Sequence, residues 1–243
     1  MKKILLQIAH YPDERQQLFE TKCVPNTKKY AQHHGYEYVL LDGTSIFRNP
    51  SWHKFYYLKN EIKNNNLTEG DKILFIDADT YIMKHDEDYP FTKNFNYSID
   101  NGNSHCFGIW SMIICPWTIN LINDLLDENL YNSCKNIEWW MSFSDQAAWY
   151  SLAGIPRHSW SSFFEMQHCG WNQTDDAELK QYKKYTIENL EQNVCILNSS
   201  WNTTLLEEEF NVIPQYLHKY CIVKSKKEDT KIRHFAGGQP WSI

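Results

Sequence analysis

Apolar runs along the chain alternate with stretches whose apolar positions recur at helical spacing. The first run, Ile4-Leu5-Leu6-Gln7-Ile8-Ala9, predicts an opening strand. Residues 13–34 are polar with apolar positions at helical intervals. Pro25 cannot sit comfortably inside a helix and is expected to split them into two, and Gly35 supplies a helix stop. Residues 36–41 predict the second strand. Ser51 is a candidate N-cap for a helix through residues 52–58 that runs on to Asn64-Asn65-Asn66. Residues 73–76 form a continuous apolar run, bounded by Gly70-Asp71 and by acids, which reads as a short strand buried on both faces. The order β-α-β-α-β predicts a mostly parallel sheet with helices on both faces.

Beyond the acids, residues 84–104 are rich in Asp, Asn, Lys and Tyr and read as a loop. Residues 106–114 predict another strand, with Gly108 in its interior, where glycine often marks close approach of a ligand or another backbone. Pro116 starts a helix through Leu126. The aromatic run Glu138-Trp139-Trp140-Met141 leads to Ser144, an expected N-cap, with Asp145 and Gln146 in the first turn of its helix. Short strands are expected at residues 194–197 and 212–213. The tail, His234-Phe235-Ala236-Gly237-Gly238-Gln239-Pro240, contains a flexible glycine turn whose amides can face phosphate oxygens. No internal repeat and no linker interrupt the chain, so one domain is expected over residues 1–243.

The 243 residues suffice for one large domain, and 42% hydrophobic with 15% aromatic residues suffice for its core. Surplus aromatics either fill such a core or line sites that stack on bases or sugars. A net charge of −6 argues against non-specific nucleic-acid binding. Seven cysteines without a Cys-x-x-Cys pair suggest reduced thiols. The opening apolar run is too short for a signal peptide and no stretch reaches transmembrane length, so a soluble, cytoplasmic protein is expected.

Chemistry concentrates at Asp77-Ala78-Asp79. These acids follow a buried strand, and in open α/β sheets the ligand crevice lies at the carboxyl ends of the strands. A hard divalent cation takes oxygen ligands, which an Asp-x-Asp pair supplies, although the same tripeptide suits a turn or helix cap. Tyr11, at the end of the first strand, either stacks on a base or covers the sheet edge. His234, beside Gly237 and Gly238, is either a ligand or a surface histidine. A mixed Asp-Asp-His set favours Mn²⁺ slightly over Mg²⁺.

Taken together, the strand ending in Asp77-Ala78-Asp79, Trp52-x-Lys54 upstream, the Ser144-Asp145-Gln146 helix start and the His-Phe-x-Gly-x-Gln-Pro tail occur in the order found in metal-dependent GT-A glycosyltransferases. The chain resembles glycosyltransferase family 34, the α-galactosyl- and α-xylosyltransferases. It is more distantly similar to family 8, whose tail carries Lys where this chain has Gln239. The likeness spans residues 1–241 and is specific at the acidic pair and the tail. It implies a Rossmann-like α/β fold of GT-A type, with a nucleotide-binding half (1–82) and a donor-sugar and acceptor half (83–243). Asp77 and Asp79 would hold Mn²⁺ or Mg²⁺ with His234 as third ligand, Asp77 lying also near the ribose. Ala9, Tyr11, Lys54, Gly237, Gly238 and Gln239 would face the nucleotide and diphosphate, with Trp52 and Lys54 lining the donor site. Gly108 would lie under the donor sugar, and Asp145 and Gln146, as catalytic residues, beside the anomeric carbon. The family's Asn-x-Gly before the donor-sugar strand is replaced here by Asn101-Gly102-Asn103-Ser104-His105, and no counterpart of the family's Golgi anchor is expected.

The reading is a transferase moving a hexose or pentose from a UDP-sugar, in preference to a GDP-sugar, to a glycan or glycoprotein acceptor, with retention of configuration. Two alternatives stand beside it. A sugar nucleotidyltransferase also uses Asp-x-Asp and a metal, but its Gly-rich basic loop is not seen in Ala9-His10-Tyr11-Pro12. A sugar- or nucleotide-binding protein that kept the fold without activity would bind tightly and release no UDP.

Overall fold

The computed structural model describes residues 1–9, 11, 14–44, 50–101, 105–134, 145–155, 181–209 and 224–235. Alternation within the apolar runs sends their side chains to two faces of one sheet. In β1 (Lys3–Ala9), Ile4 and Leu6 enter one core and Leu5 the other; in β3 (Lys72–Ile76), Ile73 and Phe75 enter the first and Leu74 and Ile76 the second. The sheet has six strands in the order β2-β1-β3-β6-β5-β7. β2 (Glu37–Asp42) and β3 run parallel to β1, and β7 (Val194–Leu197) runs parallel to β5 (Phe95–Ile99). β6 (His105–Ile113) is antiparallel to both β3 and β5. A second, two-stranded sheet pairs β4 (Thr80–Ile82) with β8 (Ile232–His234).

Helices cover both faces. The larger core lies under α3 (His53–Lys63), α4 (Pro116–Leu125) and α6 (Asp145–Ala153), which contribute Phe55 and Leu58, Leu121 and Leu125, and Ala148 and Trp149. Tyr30 and Ala31 of α2 (Val24–His34) face the second core. Much of the aromatic surplus is core: Trp110 stacks between Phe55 (ring centroids 5.7 Å apart) and Phe75 (5.2 Å). Cys23, Cys106, Cys115 and Cys195 are thiols, as expected. No helix among the described residues is long and apolar enough to cross a membrane.

Several elements differ from expectation. Pro25 does not separate two helices. α1 (Glu14–Leu18) continues through a π-helical turn, Phe19–Cys23, into α2, with Val24 N–H bonded to the Phe19 carbonyl. Pro25 falls in the first turn of α2, where its missing N–H is not needed. Gly35 does end that helix, in the left-handed conformation at φ 70°. Ser51 is not the N-cap of α3. The chain enters through a 3₁₀ turn, Pro50–Trp52, and Trp52 occupies the cap position with helical backbone and no side-chain cap bond. Trp52 itself is fully buried against Tyr131, so among the described residues it packs in the core and does not face the cleft at the carboxyl ends of β1 and β3. The expected loop 84–104 contains β5, an inner strand whose Phe95 and Tyr97 are buried. The expected strand at 212–213 lies outside the described residues.

Candidate metal centre

β3 ends at Ile76, and the antiparallel ladder with β6 runs one step further: Asp77 N–H donates to the Gly108 carbonyl at 2.8 Å. Asp77 therefore stands opposite Gly108, and the missing side chain on Gly108 is what lets the carboxylate fold over β6. A Cβ placed there would lie 2.6 Å from Asp77 Oδ2 and 2.7 Å from His234 Cε1. The strand end is pinned from two sides, because Thr80 Oγ1 (2.6 Å) and the buried Gln7 Nε2 (3.2 Å) both donate to the Asp77 carbonyl.

His234 arrives from the far end of the chain through the second sheet. It pairs with Thr80 across β4 and β8, and Phe235 N–H donates to the Asp79 carbonyl at 2.9 Å, so the ring is carried to Asp79 by backbone bonds. Its Nε2 lies 3.3 Å from Asp79 Oδ1, and its Nδ1 lies 2.7 Å from Asn202 Oδ1. One ligand atom from each of Asp77, Asp79 and His234 falls within 4.8 Å of the others, and this is the only such group among the described residues. Burial pushes the Asp77 carboxyl up to about 7; Asp79 and Asp145 add to this, and Lys54 and His234 oppose it. Burial works against the imidazolium of His234, but the Asp79 carboxylate, with Cys106 behind it, outweighs burial and holds the ring well above the ordinary histidine range. The cluster concentrates negative charge on a spot that a cation or protons must neutralise.

Asp145, the first residue of α6, is buried and forms an ion pair at 2.8 Å with Lys54 of α3. Lys54 is only 2% exposed, and its ammonium sits 3.9 Å above the ring of Phe75. It is a buried partner of Asp145 and not a solvated helix lysine. Gln146 is held differently: its Oε1 accepts from Phe107 N–H at 3.1 Å, and its Nε2 donates to Tyr150 Oη at 3.4 Å. That amide is available because β5 and β6 slip register here. Tyr97 pairs with Trp110 and Ser98 with Cys106, so residues 107–109 bulge out of the ladder. The bulge inverts the alternation of β6, placing Phe107 and Trp110 in the same core, and its centre is Gly108.

A cavity of about 240 Å³ opens at the carboxyl ends of β1 and β3, lined by Ala9, Tyr11, Gly43, Ser51, Phe75, Asp77 and Asp79 among others. Tyr11 forms part of its wall, its ring centroid 6.0 Å from that of Phe19. The predicted site residues Ala9, Tyr11, Asp77, Asp79, Gly108 and His234 thus gather at this corner, with Lys54 and Asp145 beside it. Ser144, Gly237, Gly238, Gln239 and residues 102–104 of the segment that replaces Asn-x-Gly lie outside the described residues. Sequence reading missed Gln7 and Asn202, both fully buried polar side chains at the site. Gln7 interrupts an otherwise apolar strand, which is a legible signal; nothing near Asn202 marks it in an Asn-rich chain.

No protein-family model matches the chain, and no curated protein matches it in sequence. Solved structures do match. One is a glycosyltransferase involved in the glycosylation of the major capsid of PBCV-1: TM-score 0.55, 10% identity, covering 98% of this chain and 96% of that one. Another is the glycosyltransferase GlyE of Streptococcus pneumoniae TIGR4: TM-score 0.50, 13% identity, covering 100% of this chain and 56% of that one, so the chain spans little more than half of its length. The six-stranded, mostly parallel sheet flanked by helices is the GT-A type of fold these glycosyltransferases share.

Proposed function

We propose that the chain is a metal-dependent glycosyltransferase that moves a sugar from a nucleotide-diphosphate sugar, UDP-linked in preference, to a glycan or glycosylated acceptor with retention of configuration. The observation that carries this reading is the meeting of Asp77, Asp79 and His234 beside a cleft at the carboxyl end of β3. The residues suit a bound cation on their own chemistry: two carboxylates and an imidazole converge, and Gly108 leaves the space their side chains need. That donor set favours Mn²⁺ over Mg²⁺. Bound there, the cation would neutralise the diphosphate as it leaves, worth several kcal/mol.

The chain's own groups have distinct parts in this scheme. Tyr11 and Ala9 offer the wall on which a base packs. Asp77 holds the cation and faces the nucleotide. Lys54 pairs with Asp145 at 2.8 Å and holds its carboxylate in place from beneath, and Asp145 then serves as nucleophile or as electrostatic support for the positive charge that develops at the anomeric carbon. Gln146 secures the start of α6 on β6 and so sets where Asp145 points. Its amide is anchored by Phe107 N–H and Tyr150 Oη, and from that anchorage it supports Asp145 beside the anomeric carbon.

The test is UDP release from a panel of UDP-sugars with Mn²⁺ and simple glycan acceptors, followed by the anomeric configuration of the product by NMR. Retention is expected, with a folded Asp145→Asn variant reduced ~10²-fold or more. An inverted product overturns the retaining assignment, and turnover within about threefold of wild type leaves Asp145 a structural ion-pair partner and helix cap.

A further inference from the structure

The ring of His234 has two nitrogens with different neighbours. Nε2 faces Asp79 Oδ1 at 3.3 Å, and Nδ1 faces Asn202 Oδ1 at 2.7 Å, with the Cys106 sulfur further off at 3.9 Å. An amide oxygen only accepts, so with the Asn202 amide turned as it is here the Nδ1 position carries the hydrogen. Nε2 then turns its lone pair toward a carboxylate, an arrangement that is favourable only with a positive charge between or upon them. Metal-bound histidines are oriented in this way, the second ring N–H being given to an oxygen outside the coordination sphere.

The position of Asn202 is built by main-chain bonds. Asn198 Oδ1 accepts from Ser200 N–H at 3.1 Å and opens a 3₁₀ turn, Ser199–Trp201, that delivers Asn202. The segment then lies along β8: Lys231 N–H donates to the Ser200 carbonyl (2.8 Å), Thr203 N–H to the Ile232 carbonyl (3.0 Å) and His234 N–H to the Thr203 carbonyl (2.9 Å). Asn202 is fully buried, so its amide cannot be replaced by bulk water without rebuilding this edge.

We propose that Asn202 is a positioning residue for the metal centre: it holds His234 with hydrogen on Nδ1 and presents the Nε2 lone pair to the cation bound by Asp77 and Asp79. This rests on the metal-dependent reading above. The reverse amide orientation would place hydrogen on Nε2, direct it at Asp79 and close the site to a cation, so the two arrangements differ in metal binding itself.

The experiment is titration of the metal-free full chain with Mn²⁺, followed by calorimetry or by the electron paramagnetic resonance of free Mn²⁺, with thermal melts to verify folding. Asn202→Leu keeps the branching and number of side-chain heavy atoms and removes the acceptor, and Asn202→Asp keeps an acceptor of the same reach. The expected result is ~10- to 100-fold weaker Mn²⁺ binding for Asn202→Leu and for Asn202→Ala, with Asn202→Asp at least as tight as wild type. Wild-type affinity in a folded Asn202→Leu variant would assign Asn202 to packing and overturn the proposal, as would an Asn202→Asp variant as weak as Asn202→Leu. If instead the wild-type chain binds no Mn²⁺, the metal-dependent reading fails with it, and that outcome is distinct from a variant that binds normally. Should Asn202→Leu and Asn202→Ala both fail to fold, Asn202→Asp decides alone: reduced affinity contradicts the acceptor role and retained affinity supports it.

Discussion

At the residue scale, the most exacting position is Gly108, which sits across the ladder from Asp77. Alanine there would place a Cβ 2.6 Å from Asp77 Oδ2 and 2.7 Å from His234 Cε1, closer than real contacts allow. Both side chains would have to move, so Gly108→Ala is expected to weaken Mn²⁺ binding at least ~10-fold, or ~1.4 kcal/mol. Calorimetric titration of the variant checks this, and an unchanged affinity would mean that the two ligands do not share one cation. Lys54 gives a stability prediction. Removing one partner of a buried ion pair strands the other charge, typically at ~3–5 kcal/mol. Lys54→Met should lose stability on that scale in urea denaturation, and Lys54→Met with Asp145→Asn should lose much less. A loss below ~0.5 kcal/mol for the single variant would fit an exposed lysine and contradict the buried pair. Neither the ion pair nor the crowding at Gly108 is visible in sequence, because each joins residues from separate elements. The sequence identifies Lys54, Asp145 and Gly108 as candidates and says nothing of which touches which.

At the element scale, legibility follows the strength of the local pattern. β1, β3 and β6 are apolar runs long enough to stand out, and α3 and α4 have clear apolar spacing. β5 does not stand out: Phe95-Asn96-Tyr97-Ser98-Ile99 alternates correctly, but it is short and sits among Asn and Lys residues that read as loop. β4 and β8 have three residues each and are held by long-range pairing, β4 with β8 and β8 also with residues 200–203. The π turn before Pro25 keeps a continuous helical path from α1 into α2. The bulge at residues 107–109 matters more for the site. It leaves Phe107 N–H without a strand partner, and Gln146 takes it, joining α6 to β6. A buried donor deprived of its acceptor costs ~1–3 kcal/mol. Gln146→Leu is therefore expected to destabilise by that amount in chemical denaturation, while Gln146→Glu, which keeps an acceptor, retains most of the stability. Equal stability of wild type and Gln146→Leu would remove the tether.

At the scale of the whole molecule, the sheet delivers Asp77 and Asp79, and the small second sheet brings in His234 from the other end of the chain. The mostly parallel α/β sheet was legible from strand order, and its GT-A type from the family resemblance carried by the acidic pair, Trp52-x-Lys54, the Ser144-Asp145-Gln146 start and the tail; the junction between the two sheets was not legible, since it depends on pairing across most of the sequence. This assembly carries a pH signature. Both Asp77, raised from 3.8 to about 7, and His234, raised well above 6.5, hold protons more tightly folded than unfolded. Their contribution to stability is full at low pH and is lost as pH rises through the folded values, so the metal-free protein loses stability from Asp77 between about pH 4 and 7 and from His234 as pH rises above 6.5. A cation needs the same groups deprotonated, so its affinity rises over the same range and its uptake releases protons. The measurement that goes straight to the central claim is calorimetric titration of UDP into the protein at pH 7.5, with Mn²⁺ and with EDTA, on wild type and on Asp79→Asn. The account predicts UDP binding to wild type that requires Mn²⁺, a heat that varies with the ionisation enthalpy of the buffer, and loss of that metal dependence in Asp79→Asn. UDP affinity that is the same with EDTA as with Mn²⁺, or unaltered in Asp79→Asn, would contradict it.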